Sequence, residues 1–293
     1  MVDVTIILSL LASGLLLAGV YMLTSMGMAL VFGVMEVVNF AHGGLIMAGG
    51  YITYWLFTEV GVDPILSLVV VIPAMFAVGY AAQWVFVEHV VGEEDLYSLL
   101  LTFGLLLVLE STFRVVFSTE TVTIPYLSQG VDVASIGLSL KEVASGGIGF
   151  VVTGVLFAFL SRSSLGQAIR ATSQAPDLAE ASGINAPRIR AITFGVGSLL
   201  AGIGGTAYFI SYGISPIGGR HLLLIAFVVI VLGGMGSIKG AGVAAVLIGV
   251  FQTFAEYYAG SHRALLVMYL GIAVVLLVRP HGLFGEPEDR LHG

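Results

Sequence analysis

Residues 6–31 form one unbroken apolar run with no charged side chain, and that single feature restricts the chain to very few environments. A helix that crosses a bilayer needs about 20 consecutive, predominantly apolar residues. Further apolar runs fall at 43–57, 65–87, 98–117, 147–160, 191–213, 221–235, 241–258 and 264–278. Charged residues make up only 10% of the chain, against roughly 25% in soluble domains, so a soluble fold is excluded. The runs are long and continuous instead of alternating in short segments, which excludes a closed β-barrel. The expectation is an all-α integral membrane protein: one transmembrane domain over residues 1–293, a polytopic bundle of about eight or nine transmembrane helices. Two runs, Gly43 to Phe57 and Leu222 to Met235, are short. They read as half-spans or tilted, re-entrant helices, which membranes tolerate only where protein covers the broken backbone.

Other compositional facts narrow the chemistry. The chain has no cysteine, which removes disulfides, thiolate metal sites and cysteine nucleophiles together. Its 39 glycines suit helices that approach closely or break inside a membrane. Met1 to Thr5 holds Asp3 and no basic residue, unlike a cleaved signal peptide, so the first run is read as a retained span. The nearest approach to a phosphate-cradling G-x-x-x-x-G-K-[ST] loop is Gly233 to Gly240, which ends in Lys239-Gly240. Any nucleotide hydrolysis is therefore expected on another polypeptide, and no cofactor or metal is expected on this one.

The net charge of −7 says less than where the basic residues lie. Arg162, Arg170, Arg188 and Arg190, four of eleven basic residues, share the connection Ser161 to Arg190. The positive-inside rule places that loop in the cytoplasm. The tail 279–293, four runs later, falls on the same side, and the polar stretch Ser118 to Gly146, with β-prone Thr121 to Ile124 and a turn at Pro125, falls outside. The acidic loop Glu88 to Asp95 then lies inside without a single Lys or Arg; acids carry little topological weight. Nine crossings give an external N-terminus, and a tenth, or a re-entrant Gly43 to Phe57, reverses it.

Within the Arg-bearing connection, Gly166 to Asn185 reads as two short helices. Pro176 with Asp177 starts the second, and Gly183 stops it. Small residues (Ala168, Ala171, Ala175, Ala179, Ala181) give a compact knob that fits a cleft on a soluble partner; the plain alternative is a solvated hairpin. In the membrane, ionisable residues are costly and point to function by default. Glu36, Asn39 and His42 sit within seven residues beside Gly33, Gly43 and Gly44, where a helix break exposes backbone and dipole ends able to meet an ammonium or carboxylate. The plainer reading is that Asn39 and His42 cap neighbouring helix ends. His42 has no His, Asp or Glu at i+4 and is not read as a metal ligand. Glu110 and Arg114, four apart, pair on one helix. Glu256 beside Tyr257 and Tyr258 suits an interface belt, and Arg220 with His221 marks an outer helix end whose arginine snorkels or touches a partner. Gly195, Ser198 and Gly202, and Gly233, Gly236 and Gly240, are spaced for close helix contact. Two Thr-Phe-Gly triplets, at 102–104 and 193–195, hint at an internal duplication.

The run Gly166 to Asn185, continuing through Arg188 to Gly205, resembles the coupling loop and following helix of permeases from branched-chain amino acid ABC importers. Three further stretches agree in order and spacing: Gly19-Val20-Tyr21 with Gly27, Gly33 and Asn39-Phe40-Ala41-His42-Gly43; Ala226 to Ala241; and Val278 to Gly285. The match is most similar to the shorter of the two permease types. The resemblance implies an ATP-driven importer subunit working with a second, longer permease, two cytoplasmic ATP-binding subunits and an extracellular or periplasmic amino-acid-binding protein. It implies coupling to the ATPase through Gly166, Arg170, Ala171, Pro176, Ala179 and Gly183, and a translocation path past Glu36, Asn39, Phe40, His42 and Gly43. Gly44 stands where the family often has an acid, so no acidic role transfers there, and the loop 88–95 is acidic where relatives tend to be basic. Urea or short amides are the alternative cargo for this architecture. An ion-coupled carrier, driven by protons or sodium with Glu36, Glu110 or Glu256 as the relay, is the alternative mechanism.

Overall fold

The computed structural model describes residues 4–133, 136–278 and 282–283. Most of the expected tail, 279–293, lies outside the described residues, Gly282 and Leu283 excepted. The described chain forms α1 (Val4–Met35), α2 (His42–Trp55), α3 (Leu68–Val85), α4 (Asp95–Phe117), a hairpin of β1 (Gly130–Val133) and β2 (Ile136–Ser139), α5 (Leu140–Arg162), α6 (Ser164–Gln174), α7 (Pro176–Ala181), α8 (Ala186–Tyr212), α9 (Gly218–Gly233), α10 (Ile238–Ala259) and α11 (Ser261–Val278).

Six of these, α1, α3, α4, α5, α8 and α10, are long and apolar enough to cross a membrane. The bundle is mostly helical, as the apolar runs require, but the expected eight or nine spans are not all spans of full length. The 16 residues of α9 cover about 24 Å at 1.5 Å per residue, and the 14 of α2 about 21 Å before the chain continues directly into a π-helical turn, Leu56–Val60, so neither α-helix alone matches a hydrocarbon core of about 30 Å.

The buried centre is α8. In its apolar window 83% of residues are buried, against 22% for α3 and for α4, so α8 is the staff and α3 and α4 lie at the rim. Glycines set how closely the other helices meet it and each other. A Cβ on Gly49 of α2 would sit 2.2 Å from the Gly202 carbonyl oxygen of α8, and one on Gly205 of α8 would sit 1.8 Å from the Ile46 carbonyl oxygen of α2. Backbone thus rests on backbone, as small-residue helix crossings allow. A fully buried hydroxyl chain follows one turn on: Thr53 Oγ1 lies 2.8 Å from Thr206 Oγ1 and 2.9 Å from Ser67 Oγ. At the other flank Gly19 of α1 meets Gly146 and Gly149 of α5.

Helix ends gather at two opposite faces. At one, Gly33 of α1 packs on Gly236, and Arg190 at the start of α8 pairs with Glu88 after α3 through Nη2 at 2.5 Å and Nε at 3.2 Å. At the other, Val122 bridges Ile214, Ser211 of α8 bonds Ser145 of α5 at 2.8 Å, and Tyr126 donates to Asp63 at 2.8 Å. Burial, and then the Asp63 carboxylate, push the Tyr126 hydroxyl up to about 12. The acidic loop that sat awkwardly with the charge rule is thus partly neutralised by an arginine of the basic connection.

Some loop boundaries differ from the hydropathy reading: residues 140–146, expected in the polar loop, are the first two turns of α5, and the paired strands fall at Gly130–Val133 and Ile136–Ser139, while the β-prone stretch 121–124 contributes the bridge from Val122 to Ile214. Polar helical turns at a membrane surface carry no hydropathy signal. In the closing motif, the Leu283 N–H donates to the Leu232 carbonyl at 2.7 Å, so the described pair caps the end of α9.

Gly205→Val forces a branched side chain against the α2 backbone and lowers the stability of the detergent-solubilised protein by about 3 kcal/mol. Gly154, with nothing near its would-be Cβ, serves as the contrast: Gly154→Ala leaves thermal unfolding unchanged or slightly raised.

Candidate functional site

The chain breaks where the sequence places Glu36 to Gly43. Helix α1 stops at Met35 and Glu36 adopts a left-handed backbone with φ of 54°, a conformation costly for a side-chain-bearing residue. Residues 36–39 have no regular structure, and α2 begins at His42. The start of α2 does not return to the end of α1. It lies beside the middle of that helix, with His42 Nε2 2.6 Å from the Thr24 carbonyl. A carbonyl only accepts, so Nε2 carries the proton and donates.

Such a segment strands backbone polar groups, and α4 supplies the partner. The Thr102 hydroxyl accepts from the Phe40 N–H at 3.1 Å and lies 3.0 Å from the Val38 carbonyl and 2.8 Å from that of Ser98. The Phe40 ring is held between Phe227 of α9, 5.4 Å away, and Phe103 of α4, 6.2 Å away and edge-on. Gly43 abuts the Gly219 carbonyl of α9, and Gly44 abuts Leu109 of α4. The break is therefore walled by α1, α4, α8 and α9, which satisfies the rule that irregular backbone at membrane depth be covered by protein.

Asn39 and His42 are buried, but neither side chain caps a helix: α2 has no side-chain cap bond, and Asn39 Oδ1 and His42 Nδ1 have no hydrogen-bond partner among the described residues. The capping alternative is thereby corrected. Glu36 is exposed and stands at the edge of the group instead of within it.

The second cluster is the connection between α5 and α8. Ser163 Oγ caps α6 by accepting from the Gly166 N–H at 2.9 Å. Pro176 opens α7, and Gly183, with φ of 84°, closes it. The Gly183 N–H donates to the Glu180 carbonyl and the Ile184 N–H to the Ala179 carbonyl, the pattern of a Schellman stop. The six residues singled out from sequence separate into two groups. Gly166 and Ala179 are buried and hold the hairpin together, whereas Arg170, Pro176 and Gly183 are exposed and Ala171 is half-buried. Leu178, missed by the sequence reading, stands on α7 with 70% of its surface exposed; a leucine between Asp177 and Ala179 on a short polar helix was the available signal.

The buried carboxylate of α4 has a different partner from the one expected. Glu110 receives Arg220 from α9 through Nε at 2.7 Å and Nη2 at 2.6 Å, while Arg114 lies 3.8 Å away. The two-pronged fork is the stronger geometry, so Arg220 ties α9 to α4 instead of snorkelling, and the i+4 pair is secondary.

A helical membrane bundle with one helix broken beside a buried polar group defines a polytopic membrane protein of transporter type. A family model described as branched-chain amino acid transport system / permease component matches residues 10–278. The chain belongs to that family. It is 30% identical to the high-affinity branched-chain amino acid transport system permease protein BraD of Pseudomonas aeruginosa, over 95% of each chain. It is 28% identical to the corresponding permease protein LivH of Escherichia coli, over 94% of each, and 25% identical to a probable branched-chain amino acid transport permease protein of Methanocaldococcus jannaschii, over 96% of this chain and 94% of that one. No solved structure matches the chain.

Arg220→Ala leaves the buried Glu110 carboxylate with only its distant partner and destabilises the protein by about 2–3 kcal/mol, whereas Arg114→Ala costs less than about 1 kcal/mol. Thermal unfolding of the two variants in detergent ranks them; equal losses would contradict the assignment of Arg220 as the main partner.

Proposed function

We propose that this chain is one membrane-spanning subunit of an ATP-driven ABC importer for branched-chain and related hydrophobic amino acids, in the cell inner or plasma membrane. It forms the translocation path with a second, longer permease. Two cytoplasmic ATP-binding subunits drive it, and an extracellular or periplasmic binding protein delivers the amino acid. The observation that carries the reading is the match to the permease family over nearly the whole chain, and the hairpin of α6 and α7 supplies a compact docking element for the energy-supplying subunits.

In this reading the hairpin and the tail face the cytoplasm. Residues 36–55 make one pass from extended chain and a half-helix, giving nine passes and an external N-terminus. Closure of the ATPase dimer pushes on Arg170, Pro176, Leu178 and Gly183. Gly166 and Ala179, which join α6 to α5 and α7 to its own turn, pass the displacement into the bundle, and rigid-body rocking of the two permeases alternates access. The route past Asn39, Phe40, His42 and Gly43 offers two buried acceptors and an aromatic wall, a surface that holds an apolar amino acid weakly. Release matters more than affinity there, because specificity resides in the binding protein. Urea or short amides remain the alternative cargo. The ion-relay mechanism is less favoured because Glu110 is engaged by Arg220 and Glu256 accepts from Gln252 at 2.8 Å.

Uptake of labelled leucine and of urea into proteoliposomes, with and without the ATP-binding subunits, tests this. Leucine uptake that requires ATP supports it; uptake driven by a membrane potential without ATPase overturns it. Gly183→Val places a branched side chain at a positive φ, at a strain of about 1–2 kcal/mol, and lowers ATP-dependent uptake roughly tenfold while the protein still inserts. Normal uptake by that variant removes the hairpin from the coupling path.

A further inference from the structure

Between the α6 end of the hairpin and the bundle lies a cavity of about 430 Å³ that the broken helix does not use and that shares only Arg170 with the proposed docking surface. Its wall is of two kinds. Leu30 and Val34 of α1 and Phe157 and Leu160 of α5 make an apolar slot, while Arg170 of α6 and Lys239 of α10 stand over it. Among the described residues neither cation has a carboxylate within ion-pair distance, although every arginine on the Glu88 and Glu110 sites does. Among the described residues no acidic side chain lines the cavity. Its floor includes Ser237, the cap of α10, whose Oγ accepts from the Gly240 N–H at 3.1 Å, so the positive end of that helix adds to the two side-chain charges.

Two unpaired cations over an apolar slot fit one chemistry: a phosphate with a hydrocarbon chain attached. We infer that this cavity binds an anionic phospholipid of the leaflet at the hairpin face, its phosphate between Arg170 and Lys239 and an acyl chain against Leu30, Val34, Phe157 and Leu160. The inference rests on the proposed placement of the hairpin at the membrane surface. Basic pockets between membrane helices recognise lipid headgroups in this way. A free phosphate shares the headgroup's charge but leaves the apolar slot unfilled. A lipid seated there bridges α6 to α1 and α10, and so stiffens the joint between the hairpin and the helix that leads into the break.

The full-length chain, purified in mild detergent through its own tag together with the subunits that accompany it, is given equal phosphatidylglycerol and phosphatidylcholine, and the retained lipid is measured by native mass spectrometry. Wild type retains phosphatidylglycerol preferentially. Lys239→Gln reduces that retention about fivefold. Val34→Trp, which fills the slot and leaves both charges, abolishes the preference and guards against loss through misfolding of a charge variant. Arg162→Gln, outside the cavity, retains the wild-type preference. Equal retention of the two lipids by wild type, or an equal fall in Arg162→Gln, overturns the site. Displacement of the lipid by excess inorganic phosphate assigns the cavity to a free anion and overturns the lipid assignment. The readout needs neither ATP nor amino acid, so its failure leaves the uptake results standing.

Discussion

The interaction on which the architecture depends is the bond from the Thr102 hydroxyl to the backbone at Val38 and Phe40. Backbone outside a helix is intolerable in hydrocarbon, where each unpaired amide or carbonyl costs several kcal/mol. Residues 36–41 leave helical geometry within the bundle, and so the fold must bring a hydroxyl to them and then cover both. The hydroxyl comes from α4, a rim helix that is also held by Phe103 on Phe40 and by Glu110 on Arg220. The imidazole of His42 fixes the far side of the break by donating to a carbonyl of α1. With both ends pinned, α2 starts at mid-depth, and its 14 residues suffice to reach the opposite face alongside α8.

That placement explains the glycines of α2 and α8. A half-helix inserted between a broken span and the central staff has no room for side chains on either flank, and in lipid the gain from close approach is dispersion and backbone contact instead of water release. Gly49 and Gly205 therefore sit with carbonyl oxygens where a methyl would be. The hydroxyl chain Thr53, Ser67 and Thr206 then fixes rotation, since each hydroxyl must find its partner once it is buried. A close crossing and a buried polar chain on the same helix pair leave α2 very little freedom to slide along α8.

The sequence made some of this legible and hid the rest for definable reasons. The break was visible because polar residues flanked by glycine interrupt apolar runs at 33–44, and the hairpin was visible because Pro176 and Gly183 have fixed positional meaning at helix ends. Local chemistry writes itself locally. The partner of Glu110 was invisible: Arg220 lies 110 residues away, and the i+4 arginine offered a sufficient local explanation. Thr102 looked like the first residue of a repeated triplet, with nothing to show that its hydroxyl faces a break more than sixty residues earlier. The polar first turns of α5 were misjudged because helix propensity and membrane hydropathy are different signals, and the second was used for both.

The same constraint bears on how movement could pass through the molecule. On the proposed reading the hairpin receives the push, and a push is useful only if the path from it is stiff. The Schellman stop at Gly183, the Ser163 cap and the burial of Ile169 and Ala179 make the hairpin a rigid knob. The salt bridge from Arg190 to Glu88, reinforced by Gln83 at 2.9 Å, clamps the start of α8 to the end of α3 on the same face. Displacement there moves α8 as a rod, because packed helices shift between discrete arrangements and do not bend continuously. The far end of the rod is locked to α2 by backbone contact. A tilt of α8 must therefore carry α2 with it, and α1 as well, because Gly27 of α1 rests on the Gly197 carbonyl of α8 and His42 of α2 bonds the Thr24 carbonyl of α1. The break lies among these three helices, where the polar acceptors and the Phe40 ring stand, so such a tilt acts directly on them.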